Sequence, residues 1–500
     1  MDKHDRIRCF IIDALTLIII GIIAFSAIFT KPVSNLDEIW NFNFARNIAD
    51  GLVPYRDFNI VPTPLLSMIC GLLLFVFGKE LIVMRCLAVC LICAIFFLLY
   101  KILNKIIPKE ITLLVLAVFL SMYREVMCID YNYAVLLVAL ILLLVELNHV
   151  ETNCFKYSFR YNFFVGIIAG IAILFKQSTG LAVCIACLGY KIFEIRKKND
   201  IKSFFIIAGT RILGAVIPVG LLIVYLFFNG AFSDFVSYTI LGVRNFSNAI
   251  SYANLLKNGS IATLAIIVPG ALLIMFVMLF AKNVKEEISI FFAYAVSSFV
   301  VTFPICDNIH FLIGSMITMM GLTYIIYEYV FKAYADNIKK KYKVFLYVFV
   351  NFVSCFLLLI LINNSLGIIK TDFVLAKKEN ELSHFIGIPE SIGLKDRIKV
   401  VDEFILGQME SGKKVYILDA EAAIYFIPLN MYNKDYDMFN RGNLGVDGEN
   451  RIIDRIKNEK DAIYLLKKDG VNWQNPNTVR EFIINNLDRV DEISFFWVYE

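Results

Sequence analysis

The chain has 500 residues, 59% of them hydrophobic and 18% charged, and its mean hydropathy is +0.70. Soluble domains carry about a quarter charged residues, and here apolar runs of roughly 16 to 25 residues recur without period-two alternation, which excludes a soluble enzyme, a coiled coil, a disordered chain and a β-barrel. A net charge of +4 with no basic-aromatic patch excludes nucleic acid as a partner, and eleven cysteines scattered from Cys9 to Cys355 without metal spacing read as small membrane hydrophobes.

Met1–Phe10 is basic, and Ile11–Phe29 is apolar, too long for a signal-peptide core and without a clear small-residue cleavage site. An uncleaved first helix with a cytoplasmic N-terminus is expected. Further spans are predicted at 81–103, 110–122, 131–148, 160–175, 179–194, 203–228, 258–280, 287–303, 309–330 and 343–367. The fold class is a polytopic α-helical membrane protein of about 11 to 13 membrane helices with a small C-terminal extracytoplasmic α/β domain.

Val61–Gly78 is apolar but ambiguous, and the lysine and arginine distribution decides it. If it lies at the outer surface without crossing, the loops Lys101–Lys109, Asn148–Tyr161, Lys191–Lys202, Ala281–Glu287 and Phe331–Lys343 all fall inside. If it crosses, Arg196–Lys198 and Lys339–Lys343 fall outside. The first choice obeys the positive-inside rule and puts residues 34–59, 123–130, 175–180, 229–257, 304–310 and 368–500 on the outer face. The division is therefore a transmembrane domain over 1–367, with its first outer loop at 31–80, and a soluble extracytoplasmic domain over 368–500. That tail holds about five more acids than bases. Strands are expected at Lys414–Leu418, Ala462–Leu466 and Ile493–Tyr499, and helices at Asp419–Phe426, Asn450–Lys457 and Asn477–Asn486.

Ionisable residues at a membrane edge are costly and need a reason. The first outer loop carries Asp37-Glu38, Arg46, Asp50 and the run Gly51–Phe58. Adjacent carboxylates can supply one proton acceptor and one partner that binds or tunes it, or can simply favour the N-terminus of a helix. Arg56-Asp57 reads as an ordered loop or a salt bridge in a turn. Arg85, just inside the next span, could hold a phosphate bidentately or snorkel to lipid headgroups, and no acid close to it in sequence offers a partner. Phe175–Gly180 (FKQSTG) interrupts two short apolar segments, so Lys176 and Gln177 sit at an outer helix break, where the lysine could neutralise a phosphate. In Phe303–His310, Asp307 and His310 share a face if helical, and an Asp-His hydrogen bond fixing a helix end competes with a functional pair. No metal spacing accompanies them.

Asp37-Glu38, the stretch GLVPYRDFNIVPTPLL with the following LLFVFGKELIVMRCL, the FKQSTG break and the PICDNIH loop resemble the integral-membrane glycosyltransferases of the C-type fold. Within that fold they are similar to the protein O-mannosyltransferases and the lipid A aminoarabinose transferase, over about residues 30–180 and 300–315. The tail, with KKVYILDAEAAIYFIPLNMY, is similar to the extracytoplasmic domain of bacterial members. The resemblance implies a multi-pass enzyme of the plasma membrane, a hexosyl or pentosyl transferase that takes a sugar from a polyprenyl-phosphate donor and moves it to a glycan, lipid or protein acceptor on the outer face. By position it implies Asp37 as base, Glu38 as its partner, Arg85, Lys176 and Arg56 as donor-phosphate ligands, and Asp57, Gln177, Asp307 and His310 as further polar groups of the site. It calls for no particular cofactor; a divalent metal stays compatible with it. The chain lacks the large inserted luminal domain of the mannosyltransferases, and Val61-Pro-Thr-Pro64 replaces the lysine-proline-proline signature of the aminoarabinose branch. Donor sugar and acceptor are left open. The alternative is a transporter or accessory protein for lipid-linked sugars, which internal inverted repeats would favour; none is visible.

Overall fold

A computed structural model of the chain describes residues 3–33, 36–152, 158–198, 201–242, 250–257, 259, 261–281, 284–336, 340–373, 382–389, 393–433, 436–468 and 475–500. Parts of the expected cytoplasmic loops, at 153–157, 199–200, 282–283 and 337–339, lie outside the described residues, as do 34–35 and 243–249 of the expected outer segments.

The helices up to the tail are α1 (Lys3–Phe29), α2 (Leu36–Ala49), α3 (Leu65–Phe77), α4 (Leu81–Ile106), α5 (Lys109–Tyr123), α6 (Tyr131–Thr152), α7 (Phe159–Phe175), α8 (Gln177–Lys198), α9 (Ile201–Phe228), α10 (Phe232–Phe235), α11 (Ala253–Lys257), α12 (Ala262–Met278), α13 (Glu286–Phe299), α14 (Asn308–Ile325), α15 (Lys332–Asp336) and α16 (Lys340–Ile368). Each segment predicted to span contains a helix among its described residues, because mostly apolar runs of this kind satisfy their backbone polar groups within the segment. Among the described residues six stretches are long and apolar enough to cross a membrane: Arg6–Phe29, Leu81–Ile106, Tyr131–Val150, Ile201–Phe228, Asn308–Tyr334 and Tyr342–Thr371. The protein is a multi-pass membrane protein. The ambiguous stretch forms α3, whose 13 residues rise about 20 Å, short of the roughly 30 Å hydrocarbon core.

The chain packs as two units. The first comprises Met1–Ile28, Ala88–Leu221 and Ala249–Thr371. In it α13 packs against α14, α8, α6 and α12, α7 pairs with α8, and α16 leans on α5 alone among its stronger contacts. Small residues bring backbones together: a Cβ at Gly166 would lie 2.1 Å from the Arg211 carbonyl oxygen, so the α7–α9 crossing requires glycine there. Beside this crossing Glu146 and Arg211 form a buried ion pair at 2.6 Å. Tyr161 and Tyr190 donate to the same carboxylate, and Arg211 also donates to Asn162 and to the Cys187 carbonyl. One carboxylate thus ties α6 to α7, α8 and α9.

The second unit comprises Phe29–Leu87, Leu222–Asn248 and Asp372–Glu500. The tail contributes α17 (Leu394–Glu410), α18 (Ala423–Phe426), α19 (Gly448–Asn458) and α20 (Asn477–Asn486), with β1 (Lys414–Leu418), β2 (Ala462–Lys467), β3 (Arg489–Ile493) and β4 (Phe496–Tyr499) in the order β1-β2-β4-β3. β1 and β2 are parallel, and β4 runs antiparallel to both β2 and β3. Leu418, Tyr436, Ile452, Tyr464, Val479 and Ile483 form its core. The small α/β fold is as expected, with three differences. The single strand expected over Ile493–Tyr499 is the second half of a hairpin, turned at Ser494, whose φ is +47°. The helix expected over Asp419–Phe426 is confined to its last turn, and α17 was not anticipated.

Candidate functional site

In the second unit α2 begins with Asp37 and Glu38 in its first turn, where carboxylates favour the exposed N–H groups. Asp37 is half-buried. Glu38 is buried and takes a bidentate pair of bonds from Arg85, Nε to Oε1 at 2.8 Å and Nη2 to Oε2 at 2.8 Å, while Nη1 donates to the Lys31 carbonyl at 2.6 Å. No acid close to Arg85 in sequence offers a partner, and the fold supplies a distant one. Forty-seven residues separate the two, and the fold of the loop brings α2 back onto the start of α4.

The rest of α2 is buried from Glu38 to Asn47 although much of it is polar. The tail explains this. The Trp40 indole donates to the Ala420 carbonyl at 2.8 Å, Asn43 donates to Asp437 at 3.0 Å, and Arg46 donates to the Ile427 carbonyl at 2.8 Å and to the Met431 carbonyl. Arg46 thereby binds carbonyls at the end of α18 and in its following turn, where the Ile427 carbonyl also accepts from the Asn430 N–H at 3.1 Å. At the far end of α2, Asp50 pairs with Lys79 and accepts from Tyr432 at 2.6 Å. Burial pushes Asp50 up, but the Lys79 and Tyr432 bonds outweigh it and hold the carboxyl below its usual range.

Arg56 and Asp57 form the salt bridge in a turn, at 2.7 Å, and Arg56 also donates to the Asn229 carbonyl at 3.1 Å. Asp57 accepts from the Val53 N–H at 2.7 Å, and Tyr55, at φ +72°, donates to the Pro62 carbonyl at 2.9 Å. The loop is ordered by its own bonds.

In the first unit Lys176 stands at the break between α7 and α8 in extended conformation, with Gln177 opening α8. The hairpin is tight because Gly180 lets the chains touch: a Cβ there would lie 2.3 Å from Ala172. Lys176 donates to Asn132 Oδ1 at 2.8 Å and lies 5.1 Å from the Tyr131 ring centroid. The Asn132 backbone N–H donates to Asp130 Oδ1 at 2.6 Å. Asp130 is buried, which pushes its carboxyl above the usual range, and His310 and Lys176 offset part of that rise. Asp307 caps α14: its Oδ1 accepts from the His310 backbone N–H at 2.9 Å and from His310 Nδ1 at 2.8 Å. Burial raises Asp307 and these bonds more than cancel it, holding the carboxyl below its usual range.

Of the residues singled out in the sequence, the second unit brings Glu38 and Arg85 together beside Asp37 and leaves Arg56 with Asp57. The first unit groups Lys176 and Gln177 at one break and Asp307 with His310 at another, with Asp130 bearing on both through charge. Asp130 and Asn132 were missed. Their signal was present in Asp130-Tyr-Asn132, a carboxylate at a membrane edge two residues before an amide, the spacing of a side-chain-to-backbone turn. Among the described residues no three His, Cys, Asp or Glu side chains gather as metal ligands.

No protein-family model matches the chain, and no curated protein sequence matches it. Among solved structures it is similar to ArnT from Cupriavidus metallidurans bound to undecaprenyl phosphate, with TM-score 0.56 and 12% identity over 98% of this chain and 97% of that one. The apo state of the same protein gives TM-score 0.54 and 12% identity over 99% and 98%. An Archaeoglobus fulgidus oligosaccharyltransferase in complex with zinc and sulfate gives TM-score 0.48 and 10% identity over 90% and 67%, too low to bear on the fold. The chain therefore has the fold of ArnT, that of the C-type membrane glycosyltransferases which its first loop and helix-break motifs resemble.

Proposed function

We propose that the chain is a membrane glycosyltransferase that moves a sugar from a polyprenyl-phosphate carrier to an acceptor on the outer face of the plasma membrane. The observation that carries this reading is the correspondence, along nearly the whole of both chains, with an aminoarabinose transferase whose structure holds undecaprenyl phosphate. A sugar phosphate ester already carries a good leaving group. Catalysis then needs a base for the acceptor hydroxyl and cations for the charge that develops on the phosphate.

In this reading Asp37 takes the acceptor proton, and Lys176 neutralises the carrier phosphate. Asp130 is a second carboxylate, set among the partners of Lys176. Glu38 and Arg85 act on each other: their mutual bidentate bonds favour a role in fixing the first turn of α2 over separate roles in proton transfer and phosphate binding. Arg56 has Asp57 against it, a carboxylate with which a phosphate would compete. His310 is oriented by Asp307. The N-terminus is cytoplasmic, the tail extracytoplasmic and α3 lies in the outer interface, a topology that the loop charges and the shortness of α3 support.

Purified protein incubated with a panel of polyprenyl-phosphate sugars and candidate acceptors should release the lipid phosphate only when donor and acceptor are both present. Asp37→Asn should abolish release while donor binding stays, because the amide is nearly isosteric and loses only the proton acceptor. Full release by that variant would assign Asp37 to capping α2 and leave Asp130 as the base.

A further inference from the structure

Behind Lys176, inside the first unit, lies a small cavity lined by Asn132, Thr179, Ser297, Ser298 and apolar neighbours including Val135 and Ile313. It offers about 10 Å³ to the centre of a water molecule, close to what one water needs. Two buried polar atoms on its wall have no protein partner among the described residues, the Asn132 amide nitrogen and the Thr179 hydroxyl. Both residues are almost wholly buried, at 2% and 3% exposure. Unsatisfied buried groups of this kind are costly, and in a mostly apolar cavity of one-water size these two atoms are the partners that a water would relieve at once.

We propose that this cavity is a water site and that, through it, Asn132 positions Lys176. This rests on the reading of Lys176 as the phosphate ligand. The Asn132 amide has two ends with different needs. Its oxygen accepts from Lys176 Nζ at 2.8 Å, while its nitrogen is buried without a protein partner on a residue that lines the cavity. Turned over, the amide would set its own N–H2 against an ammonium, donor to donor, and leave its oxygen facing the cavity. A water that accepts from the amide nitrogen and donates to Thr179 Oγ1 favours the first orientation and keeps the carbonyl on Lys176. The Ser297 hydroxyl, which donates to the Tyr294 carbonyl at 2.9 Å, presents further lone pairs to the same water. Because the Asn132 backbone N–H also binds Asp130, one residue sets the spacing between the acid and the cation of the cluster. Asn132 is thus a positioning residue.

The decisive variants are at Thr179, behind the cluster. Thr179→Val keeps the shape and removes the hydroxyl; Thr179→Ser restores it. In nanodiscs, Thr179→Val should weaken undecaprenyl phosphate binding, and raise KM for a polyprenyl-phosphate sugar, by about fivefold to tenfold, the worth of one hydrogen bond, with kcat and Tm unchanged. Thr179→Ser should bind as the unaltered protein does. Equal losses in both variants, or a fall in Tm and kcat together, would assign Thr179 to packing and overturn the proposal. A structure resolved finely enough to show water supplies a readout independent of activity. Density between Asn132 Nδ2 and Thr179 Oγ1 that vanishes in Thr179→Val is expected, and a dry cavity overturns the proposal even if the enzyme transfers sugar. A wet cavity in a protein that binds no undecaprenyl phosphate would instead sink the phosphate reading of Lys176, and the positioning role with it.

Discussion

Glu38 and Arg85 offer the sharpest perturbation. Arg85 keeps 1% of its side-chain surface exposed and Glu38 8%, so solvent screens neither. Two parallel bonds of 2.8 Å join them. At an effective dielectric of about 20, charges some 4 Å apart attract by about 4 kcal/mol. Against this stands the cost of desolvating both, so the pair is near break-even as a whole, while removing one partner strands a buried charge at about 3–5 kcal/mol. Glu38→Gln and Arg85→Met should therefore each lower stability by that amount, and the double variant should cost less than the two summed. For a unit of this size about 1 kcal/mol moves Tm by roughly 2–4 °C, so each single variant should unfold about 10 °C earlier in nanodiscs, followed by intrinsic fluorescence. The non-additivity isolates the pair. If Arg85→Met kept the normal Tm but lost undecaprenyl phosphate binding, the reasoning would fail and Arg85 would be the phosphate ligand its position first suggested.

Asp437 supplies a pH test. Burial pushes its carboxyl from 3.8 to about 6, against the help of Asn43 and Arg46. The folded state therefore holds a proton that the unfolded chain has released, so this stability is full below pH 4 and is lost as pH rises through about 6, by about 3 kcal/mol at most. Asp437→Asn should flatten that slope in unfolding measured from pH 4 to 7.5, and an unchanged slope would place its origin elsewhere. Arg46→Ala removes the Arg46 bond to the Met431 carbonyl and leaves the Ile427 carbonyl with the Asn430 N–H alone, and should cost about 1–3 kcal/mol, read as faster proteolysis of the tail; normal protection would show that Arg46 does not hold it. A cysteine at exposed Ser411, in a tail that has none of its own, should react with an impermeant reagent from outside intact cells. Reaction only after permeabilisation would invert the topology.

Much of the helical layout is legible because the predicted spans are long, mostly apolar runs separated by charged loops. The four buried positions of α17, Leu394, Ile398, Val401 and Ile405, repeat at helical spacing, but the polar tail around them masks the pattern. The β3–β4 hairpin was hidden because its turn at Ser494-Phe495 carries no glycine, proline or asparagine. At the candidate site, Lys176 was placed correctly at a helix break because charge at the edge of a short apolar segment is conspicuous. The partner of Arg85 is not visible in the sequence because its carboxylate lies 47 positions earlier, and no periodicity links residues joined only by the return of a loop. Arg46 was visible as a charge but not as a clamp, for its acceptors are backbone carbonyls, which no side-chain pattern announces. Asp130 was passed over because a single acid at the start of a helix looks like a cap until its burial is known.

The central claim is sugar transfer from a lipid phosphate, and the most direct measurement uses proteoliposomes that carry a labelled polyprenyl-phosphate sugar together with an acceptor. Labelled product with stoichiometric release of polyprenyl phosphate is expected, lost in Asp37→Asn and requiring far more donor in Lys176→Ala. Movement of the labelled lipid across the bilayer with no transferred sugar would contradict the claim and make the protein a carrier of lipid-linked sugars.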